Sequence, residues 1–295
     1  MISSRSKPAK NPVQCAHLCA IANRFSMTQP STPPNQQQSD QQHSQEPIQL
    51  ADQPDRPDGN DQAQSAQDGT AESGRAHRSV LTFMRRSSPL NTSQAKALED
   101  YQHLIVEAPI HDARQLFEHP EHPLTVEIGF GMGRSLVLMA QAAPERNFLG
   151  IEVHVPGIAQ CVYEAGTAGL TNLRVMDADA LEVLNGLPDG SIDRLQLYFP
   201  DPWQKKKHFK RRFVSHERMP LVEQKLATGG WFHAATDWEH YAEWMLDVLD
   251  NRPALKNVYG KGNAAPRPDW RPETKFERRG HEAGHGVWDF IFEKI

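Results

Sequence analysis

The sequence predicts an α/β fold with a mostly parallel sheet, on three observations. From about residue 79 onward, short apolar runs alternate with stretches of helical periodicity. A turn with glycine at alternate positions follows the first of those runs, and carboxylates stand at or just after the ends of the next two. In order, a helix is predicted around Ser93–Tyr101, a strand at Leu124–Ile128, a helix at Arg134–Ala143 and a strand at Asn147–Glu152. A helix at Gly157–Ala168, a strand at Leu173–Met176 and a helix at Ala180–Asn185 follow. Strands at Ile192–Phe199 and Trp231–Ala235 are separated by a helix at Arg218–Leu226, and a helix at Trp238–Leu249 precedes a last strand at Val287–Phe292. In such βαβ successions, ligands sit at the carboxyl ends of the strands.

The front of the chain reads differently. Residues 28–78 hold twelve Gln, no aromatic residue, and only Ile48 and Leu50 as large apolar side chains. So little apolar surface cannot offset an ordering entropy of roughly 1–2 kcal/mol per residue. The expectation is a disordered leader over 1–78 and one domain over 79–295. Residues 1–27 are basic and free of acids, but carry no cleavage pattern for secretion. Three cysteines, Cys15, Cys19 and Cys161, make no disulfide framework and suit a reducing compartment. No run of 18 apolar residues exists. A cytoplasmic protein without a membrane span is therefore expected. With a net charge of −5, any binding of nucleic acid must come from a local patch.

Glu127-Ile128-Gly129-Phe130-Gly131-Met132-Gly133 stands where the first strand meets its helix. Alternate glycines let the backbone turn tightly and approach a ligand closely. The dinucleotide fingerprint needs its third glycine one place later, and a pyrophosphate would be repelled by the preceding carboxylate. The pattern suits a ligand with an amino acid group and a sulfonium, such as S-adenosylmethionine. Glu152 follows Gly133 by 19 residues, near the spacing of an acid that grips ribose hydroxyls. Asp177 and Asp179 follow the third strand. Either can accept from an adenine amino group, and either can cap the next helix. Asp179 is favoured for the adenine, with Asp177 in reserve.

In Phe199-Pro200-Asp201-Pro202-Trp203, two prolines hold Asp201 on a rigid path at a strand's carboxyl end. A carboxylate there can accept from guanine N–H groups, and Phe199 or Trp203 can pack on a ring face. Lys205-Lys206-Lys207-His208-Phe209-Lys210-Arg211-Arg212 then places six fixed cations in eight positions on an otherwise acidic chain. Next to the corner, that density predicts contact with a phosphate backbone.

From about Thr82 to the end, the chain resembles the bacterial tRNA (guanine-N7)-methyltransferase family. The resemblance is carried by Glu127–Gly133, Phe199–Trp203, Lys205–Arg212, Ala235-Thr236-Asp237-Trp238, Thr274-Lys275-Phe276-Glu277, Arg279-Gly280-His281 and Gly284–Asp289, all in the expected order. It implies a class I, Rossmann-like S-adenosylmethionine-dependent methyltransferase, with a mostly parallel seven-stranded sheet and helices on both faces. It also implies transfer to N7 of guanine 46 in the variable loop of tRNA. By the family's pattern, Glu127, Glu152, Asp179 and Asp201 line the donor site with Gly129, Gly131 and Gly133, and Asp201 doubles as the catalytic residue. Lys205, Asp237, Thr274, Lys275, Phe276 and Glu277 are expected on the substrate. Lys206, Lys207, His208, Phe209, Lys210, Arg211 and Arg212 are expected on the RNA. Closure of Thr274–Glu277 over the base would let Glu277 read its Watson–Crick edge. No metal and no obligate protein partner are expected, and the Gln-rich leader lies outside the resemblance.

His281-Glu282-Ala283-Gly284-His285 spells the zinc-protease string H-E-x-x-H. That chemistry needs a stable helix, and Gly280, Gly284 and Gly286 each cost about 1 kcal/mol in a helix interior. Two other readings compete. One is a methyltransferase for another RNA or a small molecule, and a small-molecule substrate would leave the basic run unexplained. A non-catalytic RNA-binding module would leave Glu127, Glu152 and Asp179 without a purpose.

Overall fold

The strands are β1 (Leu124–Ile128), β2 (Asn147–Glu152), β3 (Leu173–Asp177), β4 (Ile192–Tyr198), β5 (Leu226–Thr236), β6 (Leu255–Asn257) and β7 (Trp288–Lys294). In this computed structural model, which describes residues 81–84, 89–274, 277–278 and 286–295, they form one sheet in the order β3-β2-β1-β4-β5-β7-β6. The first five strands pair in parallel, and β7 runs antiparallel between β5 and β6. The expected leader over 1–78, Lys275, Phe276 and the string His281–His285 lie outside the described residues.

The helices are α1 (Thr92–Asp100), α2 (Arg134–Ala142), α3 (Val155–Thr167), α4 (Ala180–Gly186), α5 (Met219–Lys225) and α6 (Glu239–Asp250). They cover both faces, as parallel strands require. Leu124, Val126, Leu149, Leu195, Leu197, Phe232 and Phe290 point to a core closed by α4, α5 and α6. Phe148, Leu173 and Val175 point the other way, beneath α1, α2 and α3. No helix among the described residues is long and apolar enough to cross a membrane.

Six strands follow the sequence pattern; β6, three residues at the sheet edge, left no periodic signal. β5 starts five residues earlier than the apolar run suggests. Its first part contains Gly229 in the left-handed region (φ 77°), and the pairing with β4 shifts register there. A bulge breaks the alternation by which a strand is read.

The sheet reverses direction of build between β1 and β4, which opens a crevice at their carboxyl ends. One further feature of the interior matters for the site. On the face opposite the larger core, successive neighbours across β1, β4 and β5 are polar and buried, Glu127, Gln196 and His233, and His233 reaches the buried Asp289 of β7, two residues out of register, at 2.8 Å.

Candidate active site

The crevice holds a cavity of about 440 Å³, within the range of small-molecule sites. Its floor is the glycine turn. Gly129 and Gly131 have φ of 70° and 58°, and a side chain built on either would meet nothing within 4 Å. Both line the cavity, so the bare backbone faces the open space. Gly133 does not line it, contrary to expectation. It precedes α2 at φ 75°, and a Cβ there would lie 2.4 Å from the Cβ of Cys161. Its glycine identity serves the packing of α2 on α3. Gly157 was missed by the sequence reading. A Cβ on it would lie 2.0 Å from the Gly131 carbonyl oxygen, so α3 can seat against the turn only without a side chain there. A helical glycine that costs about 1 kcal/mol was the one signal available.

Glu152 lines the cavity at the end of β2. One carboxylate oxygen accepts from the amides of Val153 (2.7 Å) and His154 (3.0 Å), the other from Gly131 (2.8 Å). Three backbone donors hold it in place, and of its four lone-pair sites one, on the oxygen bonded to Gly131, remains for a hydroxyl donor. Glu127 is only 3% exposed and, like Gly133, does not line the cavity; its Oε2 has no hydrogen-bond partner. Burial, reinforced by the nearby Glu152 charge, pushes its carboxyl up to about 8.

Asp179 caps α4, accepting from the Leu181 amide at 2.9 Å. It does not itself line the cavity, whereas its neighbours Ala178 and Ala180 do. Asp177 is exposed and borders a different, shallower pocket beside Val155 and Ile158. Between the two, capping is the role that the geometry gives Asp179.

Asp201 lines the mouth of the cavity with its side chain exposed. Phe199 and Trp203, on either side of Pro200-Asp201-Pro202, have φ of 51° and 46°. Left-handed backbone in residues this bulky costs roughly 1–3 kcal/mol each and persists only where surroundings enforce it. Here they do. The Phe199 amide donates to Ala235 O (2.8 Å), Trp203 Nε1 to Thr82 O (3.3 Å), and Arg212 Nε to Pro202 O (2.9 Å).

The basic run divides in two. Lys206–Arg211 form a 3-10 helix, and Lys205, Lys206, Lys207 and Lys210 are exposed. The arginines face inward, against expectation. Arg212 is fully buried, with its guanidinium 3.8 Å from the Phe209 ring centroid and 4.8 Å from that of Tyr241. Arg211 stacks 3.8 Å over Trp203 and donates to Leu81 O (3.1 Å) and Phe83 O (2.9 Å). It thereby holds the 81–84 segment, whose Thr82, Phe83 and Met84 line the cavity. Phe209 anchors the turn against His240 and Trp244, and the half-buried His208 sits edge-on to Trp203. Four lysines of the run therefore remain exposed.

Asp237 is exposed just past β5. Thr274 and Glu277 close a capping box, each backbone amide donating to the other's side chain (3.2 and 3.1 Å). Glu277 is 2% exposed, with both oxygens taken by Arg271 at 2.7 Å. In this arrangement it has no free edge for a base. Among the described residues, one group could converge on a metal: His119, Glu121 and His122, on a turn whose residues do not line the cavity.

Similarity to known proteins agrees with this geometry. The profile of a family described as "Putative methyltransferase" matches residues 121–290. A tRNA (guanine-N(7)-)-methyltransferase of Acinetobacter baylyi is 78% identical over 219 residues, covering 74% of this chain and 89% of its own. Proteins of the same name from Aeromonas hydrophila and Salmonella typhimurium are each 51% identical, covering 78% and 76% of this chain and 98% and 95% of their own. The matched profile spans the glycine turn, the Asp201 corner and the lysine-bearing helix alike, and with relatives this similar over this length the chain belongs to the tRNA (guanine-N7)-methyltransferase family.

Proposed function

We propose that the chain methylates N7 of guanine 46 in the variable loop of tRNA, with S-adenosylmethionine as the methyl donor. The carrying observation is the strained Asp201 corner, which stands at the mouth of the cavity next to four exposed lysines.

The residues fit the donor. A buried carboxylate oxygen without a partner, on Glu127, matches a ligand ammonium. Glu152 offers a rigidly held acceptor for a ribose hydroxyl, and Gly129 and Gly131 leave room for close backbone approach. When bound, the donor supplies a methyl group already activated by a sulfonium.

Guanine N7 carries an in-plane lone pair and no hydrogen. No proton must be removed before attack, so the site needs no general base. The N7–C bond forms as the S–C bond breaks, and positive charge passes to the purine. Asp201 orients the guanine and offsets that charge, in a corner that does not reorganise. Most of the acceleration comes from holding two reactants in line, an effect worth roughly 7–11 kcal/mol. Lys205, Lys206, Lys207 and Lys210 hold the tRNA backbone, and Asp237 faces the substrate from the end of β5.

Unmodified tRNA incubated with methyl-labelled donor should yield label in 7-methylguanosine, lost when guanine 46 is changed to adenine. Label in another nucleoside would overturn the reading. Replacing the four lysines by Gln should weaken tRNA binding and flatten its salt dependence by about 0.9 log units per log unit of salt for each phosphate that is no longer neutralised. An unchanged slope would remove the lysines from the interface.

A further inference from the structure

We propose that Arg271 is a positioning residue, which fixes the corner carrying Asp201 by tying the end of β4 to Glu277. This rests on the functional reading above. One hydrogen-bonded chain joins the two places. Arg271 Nη1 and Nη2 donate to the two oxygens of Glu277, each at 2.7 Å. On its other side, Nε and Nη2 donate to the two oxygens of Asp289, at 2.7 and 2.8 Å. His233 Nε2 lies 2.8 Å from Asp289 Oδ1, and its Nδ1 lies 2.8 Å from the hydroxyl of Tyr198. Tyr198 is the last residue of β4 and leads directly into Phe199 and Pro200. The Arg271 guanidinium also sits 5.8 and 5.7 Å from the ring centroids of Tyr198 and Phe199.

The charges are accounted for. Burial pulls the His233 ring pKa down, keeping it neutral, so it donates one N–H to Asp289 and accepts from Tyr198. Arg271 and the half-exposed Arg267, 3.8 Å from Glu277, balance Glu277 and Asp289.

Such an arrangement is a poor way merely to hold a sheet together. Taking paired charges out of water costs several kcal/mol per ion, and apolar packing of equal volume is often as stable or more so. β5 and β7 already pair along six residues without it. What apolar side chains would not supply is direction. A two-sided guanidinium fork fixes both carboxylates in plane, and so sets the end of β4, which leads into the cavity-lining Phe199 and Asp201, at one spacing from Glu277. A displacement of about 1 Å at a reacting centre is worth about 100-fold in rate.

Arg271→Lys keeps the charge and removes the fork. Titrating donor sites by calorimetry and measuring turnover per titrated site separates positioning from folding. The expected result is a kcat per site lowered about 10- to 100-fold, with donor Kd within about twofold of wild type. Asp289→Asn, which preserves shape and weakens the grip from the other side, should give the same pattern if the first variant folds poorly. In an Asp201→Asn background, Arg271→Lys should add little further loss of kcat. Wild-type kcat per titrated site in both variants, or a fall in rate matched by the fall in titrated sites, would overturn the proposal. If the wild-type chain itself left tRNA unlabelled, the functional reading would fail instead.

Discussion

Asp201→Asn is expected to lower kcat by about 10²–10³-fold, the size of effect seen when one preorganised electrostatic group is removed. The substitution keeps the shape and one carbonyl acceptor, and deletes the charge that, on the proposed mechanism, offsets the cationic purine. The fold has no reason to respond. The side chain is exposed, and the corner is held by Pro200, Pro202 and the hydrogen bonds of Phe199, Trp203 and Arg212 rather than by the carboxylate. Donor affinity should change little, because Glu152 and the glycine turn are untouched. Single-turnover methyl transfer at saturating tRNA, beside calorimetric titration of the donor, reads both quantities. A rate within a few-fold of wild type would take Asp201 out of the chemistry.

Glu127→Gln should act in the opposite way, on binding and stability. A charged hydrogen bond to a ligand ammonium is worth about 1.5–3 kcal/mol, so donor affinity should fall about 10- to 100-fold. The protein without donor should gain. Glu127 is buried with an unpartnered oxygen, and its register neighbour Gln196 is buried with both side-chain polar atoms unpartnered. Since the folded-state pKa is raised from 4.5 to about 8, the native state holds a proton that the unfolded chain has lost. Stability from this group is present below pH 4.5 and falls as pH rises toward 8, by up to about 1.4 kcal/mol per pH unit. Melting temperatures of the two proteins between pH 5 and 9 should therefore diverge, with the Gln variant ahead at the alkaline end. Donor binding near pH 7 should release a proton that the variant does not, visible as a binding enthalpy that depends on the buffer. Parallel melting curves and buffer-independent enthalpies in both proteins would show that Glu127 is ionised before the donor arrives.

Much of the site was legible because its signals are local. An alternate-glycine turn after a strand, a carboxylate at the next strand end, and an acid between two prolines are stretches of a few residues whose backbone geometry depends on those residues themselves. The strand–helix alternation is legible for the same reason, and it failed where a bulge at Gly229 interrupted β5 and where β6 was too short to show a period. The resemblance of the ordered blocks added the reaction and its substrate, which periodicity does not specify.

From its own residues, the sequence determined an α/β sheet with a ligand turn at β1 and a rigid acidic corner at β4. Only the tertiary structure decided which members of a cluster stay open to the surface or the cavity and which are packed away. Lys210 and Arg212 are two positions apart in one basic run, yet one is exposed and the other is packed against Phe209 and Tyr241. Gly131 and Gly133 belong to one motif, yet one opens on the cavity and the other makes room for Cys161. Arg271 is gripped from one side by Glu277, six residues on, but from the other by Asp289, 18 residues on in β7, a contact that no local stretch encodes. The reason is that a side chain's exposure and charge state follow from what packs beside it, and those neighbours come from distant parts of the chain.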